Sequence, residues 1–320
     1  MFETIGTTWM WVGFAIFVVL ALAVDLVLLD KNRGQKVSPK EAAVWSLVWI
    51  ALSFVFAGLL WFYLDGSHGR EFANLKTTEF LTGYLIEKSL SVDNIFVFLM
   101  IFTFFAVPAE FQRRALVIGV IGAIVLRVVM ILIGAWLVAK FHWVLYIFGA
   151  FLLITGIKML VFAEAKPDLE KNPLLKFIRG HFKITTDFHG EKFMVMKDGV
   201  RFFTPLFVVI VMIGITDVVF AVDSIPAVFA ITSDPFIVMT ANIFAILGLR
   251  ALYFLLADLA DRFHLLSYGL ALVLIFVGTK MLIVDWYKIP VFVSLGIVAA
   301  ILVTSVVLSW FRPPAGGRQG

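Results

Sequence analysis

Apolar residues in this chain gather into runs long enough to cross a lipid bilayer, which restricts it to a membrane-embedded fold. A helix needs about 20 apolar residues to span the ~30 Å hydrocarbon core. Nine stretches qualify, at about residues 9–29, 42–63, 80–106, 115–137, 143–163, 203–231, 236–257, 265–284 and 289–311. Of the 320 residues, 62% are hydrophobic and only 15% charged, against about half and a quarter in soluble domains. A disordered chain, a nucleic-acid binder and an ordinary soluble enzyme are excluded. The expected class is all-α, a polytopic membrane protein of about nine transmembrane helices. No cleavable signal peptide is expected, because Met1 to Trp11 carries Glu3 and no basic residue.

Charge sets the orientation. Connectors 30–40, 107–114, 163–201, 258–264 and 312–320 hold 17 Lys and Arg; those at 64–79, 138–142, 232–235 and 285–290 hold 4. The positive-inside rule then puts the N-terminus outside and the C-terminus in the cytoplasm. The long connector 164–202 is polar, with strand candidates at Phe182–Asp187, Lys192–Met196 and Val200–Phe203. His189-Gly190 and Asp198-Gly199 supply turns between them, predicting a β-hairpin. His181, Asp187, His189 and Glu191 read as solvated residues, since a metal site needs convergent geometry.

The sequence repeats itself. Phe141-His142 recurs as Phe263-His264, Tyr146 as Tyr268, and Gly156-x-Lys158-Met159-Leu160 as Gly278-x-Lys280-Met281-Leu282, all at an offset of 122. Upstream, Glu87…Asp93-Asn94-Ile95 recurs as Asp217…Asp223-Ser224-Ile225 at an offset of 130, and Arg127 as Arg250 at 123. Each copy has three spans, 3–5 and 6–8, so the two enter the membrane from opposite sides. Inverted repeats of this kind build secondary transporters with a site near the midplane. The expected units are 1–79 (accessory spans 1 and 2 with an external loop), 80–163 (repeat 1), 164–202 (cytoplasmic connector), 203–285 (repeat 2) and 286–320 (span 9 and a cytoplasmic tail).

Glu87, Asp93, Asp217 and Asp223 lie within apolar stretches, where each ionised acid costs roughly 2.5–3.5 kcal/mol on insertion scales. Oxygen-bearing neighbours accompany them: Ser91 and Asn94 in the first copy, Ser224 in the second. Glu87, Ser91 and Asn94 share a helix face, whereas Asp93 points about 120° away from Glu87. Either the helix unwinds, or the site is shared between copies. Pro226 favours a break in the second copy and leaves the Val222 carbonyl without its helical donor. Carboxylate, amide, hydroxyl and carbonyl oxygens suit a hard cation such as Mg2+, Ca2+ or Mn2+, and ligand type does not separate the three. Lys88, Arg127 and Arg250 compensate charge; the two arginines are expected to pair with acids in the empty state and release them on loading.

Other features read blandly. Lys158 and Lys280 lie near helix ends and are expected to snorkel to the interface. Asp25 reads as interfacial, and His142 and His264 as packing or interface residues at span starts, with proton coupling as the alternative. Cysteine is absent, so no disulfide, thiolate site or thiol redox chemistry is available. No nucleophile–base pair, phosphate loop or His-x-x-Glu-His type motif is present, so no enzymatic activity is expected.

At Glu87-Lys88-Ser89-Leu90-Ser91-Val92-Asp93-Asn94 and at Asp217-Val218-Val219-Phe220-Ala221-Val222-Asp223-Ser224-Ile225-Pro226-Ala227 the chain resembles the TerC family of integral membrane proteins, in its Alx-like branch. The resemblance covers nearly the whole chain. It implies an inverted-repeat exporter of manganese(II), or a supplier of metal to exported proteins, in a bacterial inner membrane. Some members carry the label of redox modulator, which an indirect effect through metal homeostasis would explain. On this basis Glu87, Asp93, Asn94, Asp217, Asp223 and Ser224 are the expected metal ligands, with Ser91, Lys88, Arg127 and Arg250 behind them. Mn2+ is then cargo rather than a permanent cofactor, and protons are a candidate coupling ion. Expected partners are the bilayer and Mn2+, with a homo-oligomer or a secretion-pathway partner left open. The rival readings are a membrane scaffold that aids metalation of exported proteins, and a calcium or proton carrier on the same scaffold.

Overall fold

Ser38, Thr204 and Asp234 each precede a proline, and each starts a helix by accepting a backbone N–H. Ser38 Oγ accepts from Glu41 (3.2 Å), Thr204 Oγ1 from Phe207 (3.4 Å) and Asp234 Oδ1 from Phe236 (2.9 Å). The side chain satisfies one orphan donor of the first turn, and proline at the first helical position wastes none. The computed structural model describes residues 4–30, 38–141, 143–161, 180, 182–197, 199–257 and 265–311, without the side chains of 26–30, 92, 93, 96, 109, 223, 266, 267 and 291. The elements are α1 (Thr8–Asp30), α2 (Pro39–His68), α3 (Arg70–Phe104), α4 (Ala109–Lys140), α5 (Val144–Val161), β1 (Met194–Lys197), β2 (Val200–Phe203), α6 (Pro205–Phe229), α7 (Pro235–Ile246), α8 (Leu249–Ala257), α9 (Leu266–Leu282) and α10 (Val291–Phe311).

Among the described residues seven helical segments are long and apolar enough to cross a membrane: Thr8–Asp25, Pro39–His68, Glu110–Lys140, Val144–Val161, Pro205–Phe229, Pro235–Ala257 and Phe292–Phe311. The protein is therefore a mainly helical, polytopic membrane protein. The nine spans expected from sequence include two more. One is α3, whose Glu79, Glu87, Lys88 and Asp93 dilute its hydropathy; the other is α9, which has 17 residues.

The break expected at Pro226 is not there. Pro226 falls in the last turn of α6, and the Ala230 N–H bonds its carbonyl at 3.0 Å, so the helix loses only the bond to Val222. The chain breaks instead at Gly248, which divides the expected span 236–257 into α7 and α8. Gly248 has φ +81°, and a Cβ there would lie 2.5–2.7 Å from the side chain of Trp49 on α2. Both the backbone conformation and the packing exclude a larger residue.

The core is built around α7, all 12 of whose residues are buried. It packs chiefly against α3 and α4. At its α2 side the rings of Phe56, Phe80, Phe236 and Phe244 interlock with centroids 4.9–6.5 Å apart.

The most extensive helix pairing is α5 with α9, and glycine makes it possible. A Cβ on Gly156 would sit 2.9 Å from the Ala271 carbonyl and the Ile275 amide; one on Gly278 would sit 2.8 Å from the Gly149 carbonyl and 2.6 Å from the Leu153 amide. Backbones this close need small residues. The two sets of contacts are reciprocal, because 271, 275 and 278 each follow 149, 153 and 156 by 122. The helices run antiparallel: the residue facing a given position steps backwards along the partner.

In the connector, β1 pairs antiparallel with β2, from Met194↔Phe203 to Lys197↔Val200. Gly199 takes φ +75° in the turn, and Ile184 bridges Phe203 from the other side. Arg114 of α4 holds the hairpin by pairing with Glu191 at 2.5 Å and lying over the Phe193 ring.

Candidate cation site

Four acceptors on three helices meet at Arg127, in the middle of α4 and only 1% exposed. Its Nη1 bonds Glu87 Oε1 on α3. The same nitrogen donates to Asn242 Oδ1 on α7 at 3.2 Å and Ser224 Oγ on α6 at 3.4 Å, while Nη2 reaches Asp217 Oδ1 on α6 at 3.4 Å. Asn242 is fixed in turn by its Nδ2, which donates to the Val238 carbonyl at 3.0 Å. One guanidinium thus joins α3, α6 and α7. Only such a fork, with several donors in a plane, can serve that many acceptors at once.

Oxygens are left over. Among the described residues Glu87 Oε2, Ser91 Oγ, Asn94 Oδ1 and Asp217 Oδ2 are buried and find no partner. The helical spacing puts Glu87, Ser91 and Asn94 on one side of α3, as their joint burial requires. A buried polar group without a partner costs about 1–3 kcal/mol, or about 4–12 kcal/mol for the four. Carboxylate, hydroxyl and amide oxygens in one place are the donor set of a hard cation. Glu87, Asp217 and Arg127 leave a formal charge of −1. Among the described residues no three His, Asp or Glu side chains converge on a point; the described acids are Glu87 and Asp217, and both face Arg127. Asp93 and Asp223 lie on α3 and α6, with side chains outside the described residues.

Apolar layers close both ends. Ile95, Phe98 and Ile101 of α3 with Val209, Met212 and Ile213 of α6 fill the side towards Phe104. Phe80 and Tyr84 of α3 with Ile225, Val228 and Phe229 of α6 fill the other. Beyond the first layer, a cavity of about 620 Å³ opens between the ends of α3 and α6 and the connector, lined by Phe104, Phe188, Thr185 and Pro205 among others.

The sequence profile of the integral membrane protein TerC family matches residues 72–315. The chain belongs to the TerC family. Alx of Escherichia coli (strain K12), named as a proposed membrane-bound redox modulator, is 54% identical over 309 residues, covering 96% of each chain. The Alx protein of Photorhabdus laumondii is 50% identical over 307 residues, again covering 96% of each. An uncharacterized membrane protein of Myxococcus xanthus is 43% identical over 311 residues, covering 97% of this chain and 95% of that one. No solved structure matches.

In this TerC member the other charged candidates sit elsewhere. Lys88 neighbours Glu87 in sequence but turns away, donating from Nζ to the Ala245 carbonyl at 3.2 Å. It thereby places a positive charge at the C-terminal end of α7, where the helix dipole favours one. Arg250, expected to join the acids, pairs instead with Asp25 of α1 at 2.9 Å and with the Asp25 carbonyl. Asp25 is thus the partner of a buried arginine rather than an interfacial residue. Lys158 is exposed, but Lys280, expected to snorkel, is 8% exposed and within electrostatic reach of Glu79. Glu79 in turn takes Lys76 at 2.9 Å and the Thr232 hydroxyl at 2.7 Å.

Of the connector candidates, Glu191 pairs with Arg114, and His189 bonds the carbonyl of Asp187 at 2.9 Å. His181, His142 and His264 lie outside the described residues. Sequence reasoning missed Asn242. Its signal was the one that marked the acids: an amide inside an otherwise apolar span.

Proposed function

We propose that this protein is a secondary transporter that exports divalent manganese from the cytoplasm, through a midplane site of buried oxygens shared by two inverted repeats. The observation that carries the reading is the set of unpartnered oxygens of Glu87, Ser91, Asn94 and Asp217 beside a clamping arginine. Uncompensated oxygens buried between apolar layers have a use if a cation passes through them. Arg127 holds the acids in the empty protein; an arriving cation takes the oxygens and releases the guanidinium. Asn94 and Ser224 complete the shell, with Asp93 and Asp223 on the same helices.

Support for the repeat comes from the reciprocal glycine contacts of α5 and α9 and from their antiparallel course. Repeat 1 is α3–α5, repeat 2 is α6–α9, and α3 and α9 bring the spans to nine. The N-terminus lies outside and the connector hairpin and C-terminus in the cytoplasm of a bacterial inner membrane. Manganese as cargo rests on the likeness to the family, since the donor set admits Mg2+ and Ca2+ equally. No chemical step belongs to this reading, so the protein acts as a carrier and not as an enzyme, and the redox label of its relatives follows from the metal it moves.

The test is flux into proteoliposomes holding a Mn2+-sensitive dye under a set pH gradient, with Ca2+ and Mg2+ as competitors. Wild type should move Mn2+, and folded Glu87→Gln and Asp217→Asn variants should not. If wild type is silent, or if the variants match it, the acids are structural and a scaffold role in metalation takes the place of transport.

A further inference from the structure

The two repeat-related arginines have different partners. Arg127 holds Glu87 and Asp217. Arg250, 123 positions on, is 2% exposed and holds Asp25, which belongs to α1 and so to neither repeat.

Applying the repeat offsets to the observed contacts gives a definite result. Arg127–Glu87 becomes Arg250–Asp217, and Arg127–Asp217 becomes Arg250–Glu87. Both arginines therefore address the same two acids, which cannot hold both guanidinium groups in the manner Arg127 occupies now. What separates the copies is the break at Gly248. α4 runs unbroken from Ala109 to Lys140 through Arg127, whereas α7 ends at Ile246 and α8 starts at Leu249, just before Arg250. Trp49 of α2 wedges against Gly248, and Asp25 of α1 takes the guanidinium beyond it. The helices outside the repeat hold the second copy in its bent form. The hold is incomplete: Arg250 Nε has no partner among the described residues.

Transporters built from inverted repeats reach their opposite-facing state when the two copies exchange conformations. We propose that Arg127 and Arg250 are alternating counter-ions of the same carboxylates, and that Asp25 is the station at which Arg250 waits while Arg127 is engaged. In the exchanged state α7 and α8 straighten, Arg250 leaves Asp25 for Glu87 and Asp217, and Arg127 lets go. The acids then meet a guanidinium in both empty states and a metal ion in between, so the unloaded carrier never crosses with bare carboxylates. This rests on the transport reading above.

The experiment compares Asp25→Asn, Arg250→Gln and the double variant with wild type, by thermal unfolding in detergent and by Mn2+ flux. A purely structural pair predicts that the double variant recovers both stability and flux, since removing both buried charges leaves none unpaired. The proposal predicts recovered stability with flux at least about tenfold below wild type. A double variant with wild-type flux overturns it. A second readout needs no transport. The chain has no cysteine, so a single Val120→Cys substitution beside the pair reports on that pocket alone. Its maleimide labelling, without added metal, should rise severalfold when Asp25→Asn is added and Arg250 leaves; unchanged labelling overturns the proposal. A wild type that moves no metal overturns the transport reading, while the labelling still decides whether Arg250 departs.

Discussion

Arg127 is a buried cation that holds two acids and thereby keeps each from being an uncompensated charge. Its replacement by glutamine should cost the empty protein about 3–5 kcal/mol, and Mn2+ should return much of the loss by neutralising the exposed carboxylates. Thermal unfolding with and without Mn2+ measures both effects, and a variant that Mn2+ does not stabilise would count against ligation by Glu87 and Asp217. Ser91 gives a prediction of opposite sign. Its Oγ has no partner among the described residues, so Ser91→Ala should leave the empty protein unchanged or more stable by about 1 kcal/mol. The same change should shrink the Mn2+-induced shift. A structural serine would instead destabilise in both conditions. The acids were legible in sequence because an ionised group in an apolar run demands an explanation from one residue alone. That Arg127 would also draw in Asn242, and that Arg250 would turn to Asp25 instead of the acids, was not, because convergence of helices depends on how they cross, and spacing along each helix is silent about that.

At the scale of elements, the antiparallel seam of α5 and α9 is the feature most sensitive to a single carbon. A Cβ at Gly278 meets backbone atoms of Leu153 and Gly149 that no rotamer change can move, so Gly278→Ala should cost about 1–3 kcal/mol by overpacking. Gly58 on α2 has open space around its missing side chain, and Gly58→Ala should be neutral or stabilise by about 0.5–1 kcal/mol. The pair of variants, unfolded side by side, separates close approach from glycine content in general. Sequence periodicity located these helices well and located their interruption badly. Pro226 is the more conspicuous helix breaker, yet a proline in a last turn disturbs almost nothing. Gly248 breaks the chain because Trp49 occupies the space a straight helix with a side chain would need, and that information sits two hundred residues away in sequence.

The outer helices pack unevenly around the molecule, with α2 against α3 and α8, α1 against α7, and α10 against α3 and α9. Its orientation can be read without interference from native thiols. A single Met196→Cys on the exposed edge of the hairpin should react with an impermeant maleimide only from the cytoplasmic side, and Trp286→Cys only from the outside. Met196 is 67% exposed and Trp286 85% exposed, so access is not in doubt at either position. The reverse pattern would overturn the proposed topology.

Because α7 meets only protein along its length, the bilayer is not its solvent. It can carry Thr240 and Asn242 at full burial without the lipid ever weighing their polarity, and its apolar residues are there to fit neighbours rather than to hold it in the membrane. The amide that reaches Arg127 therefore stands on a helix whose surroundings are the protein itself.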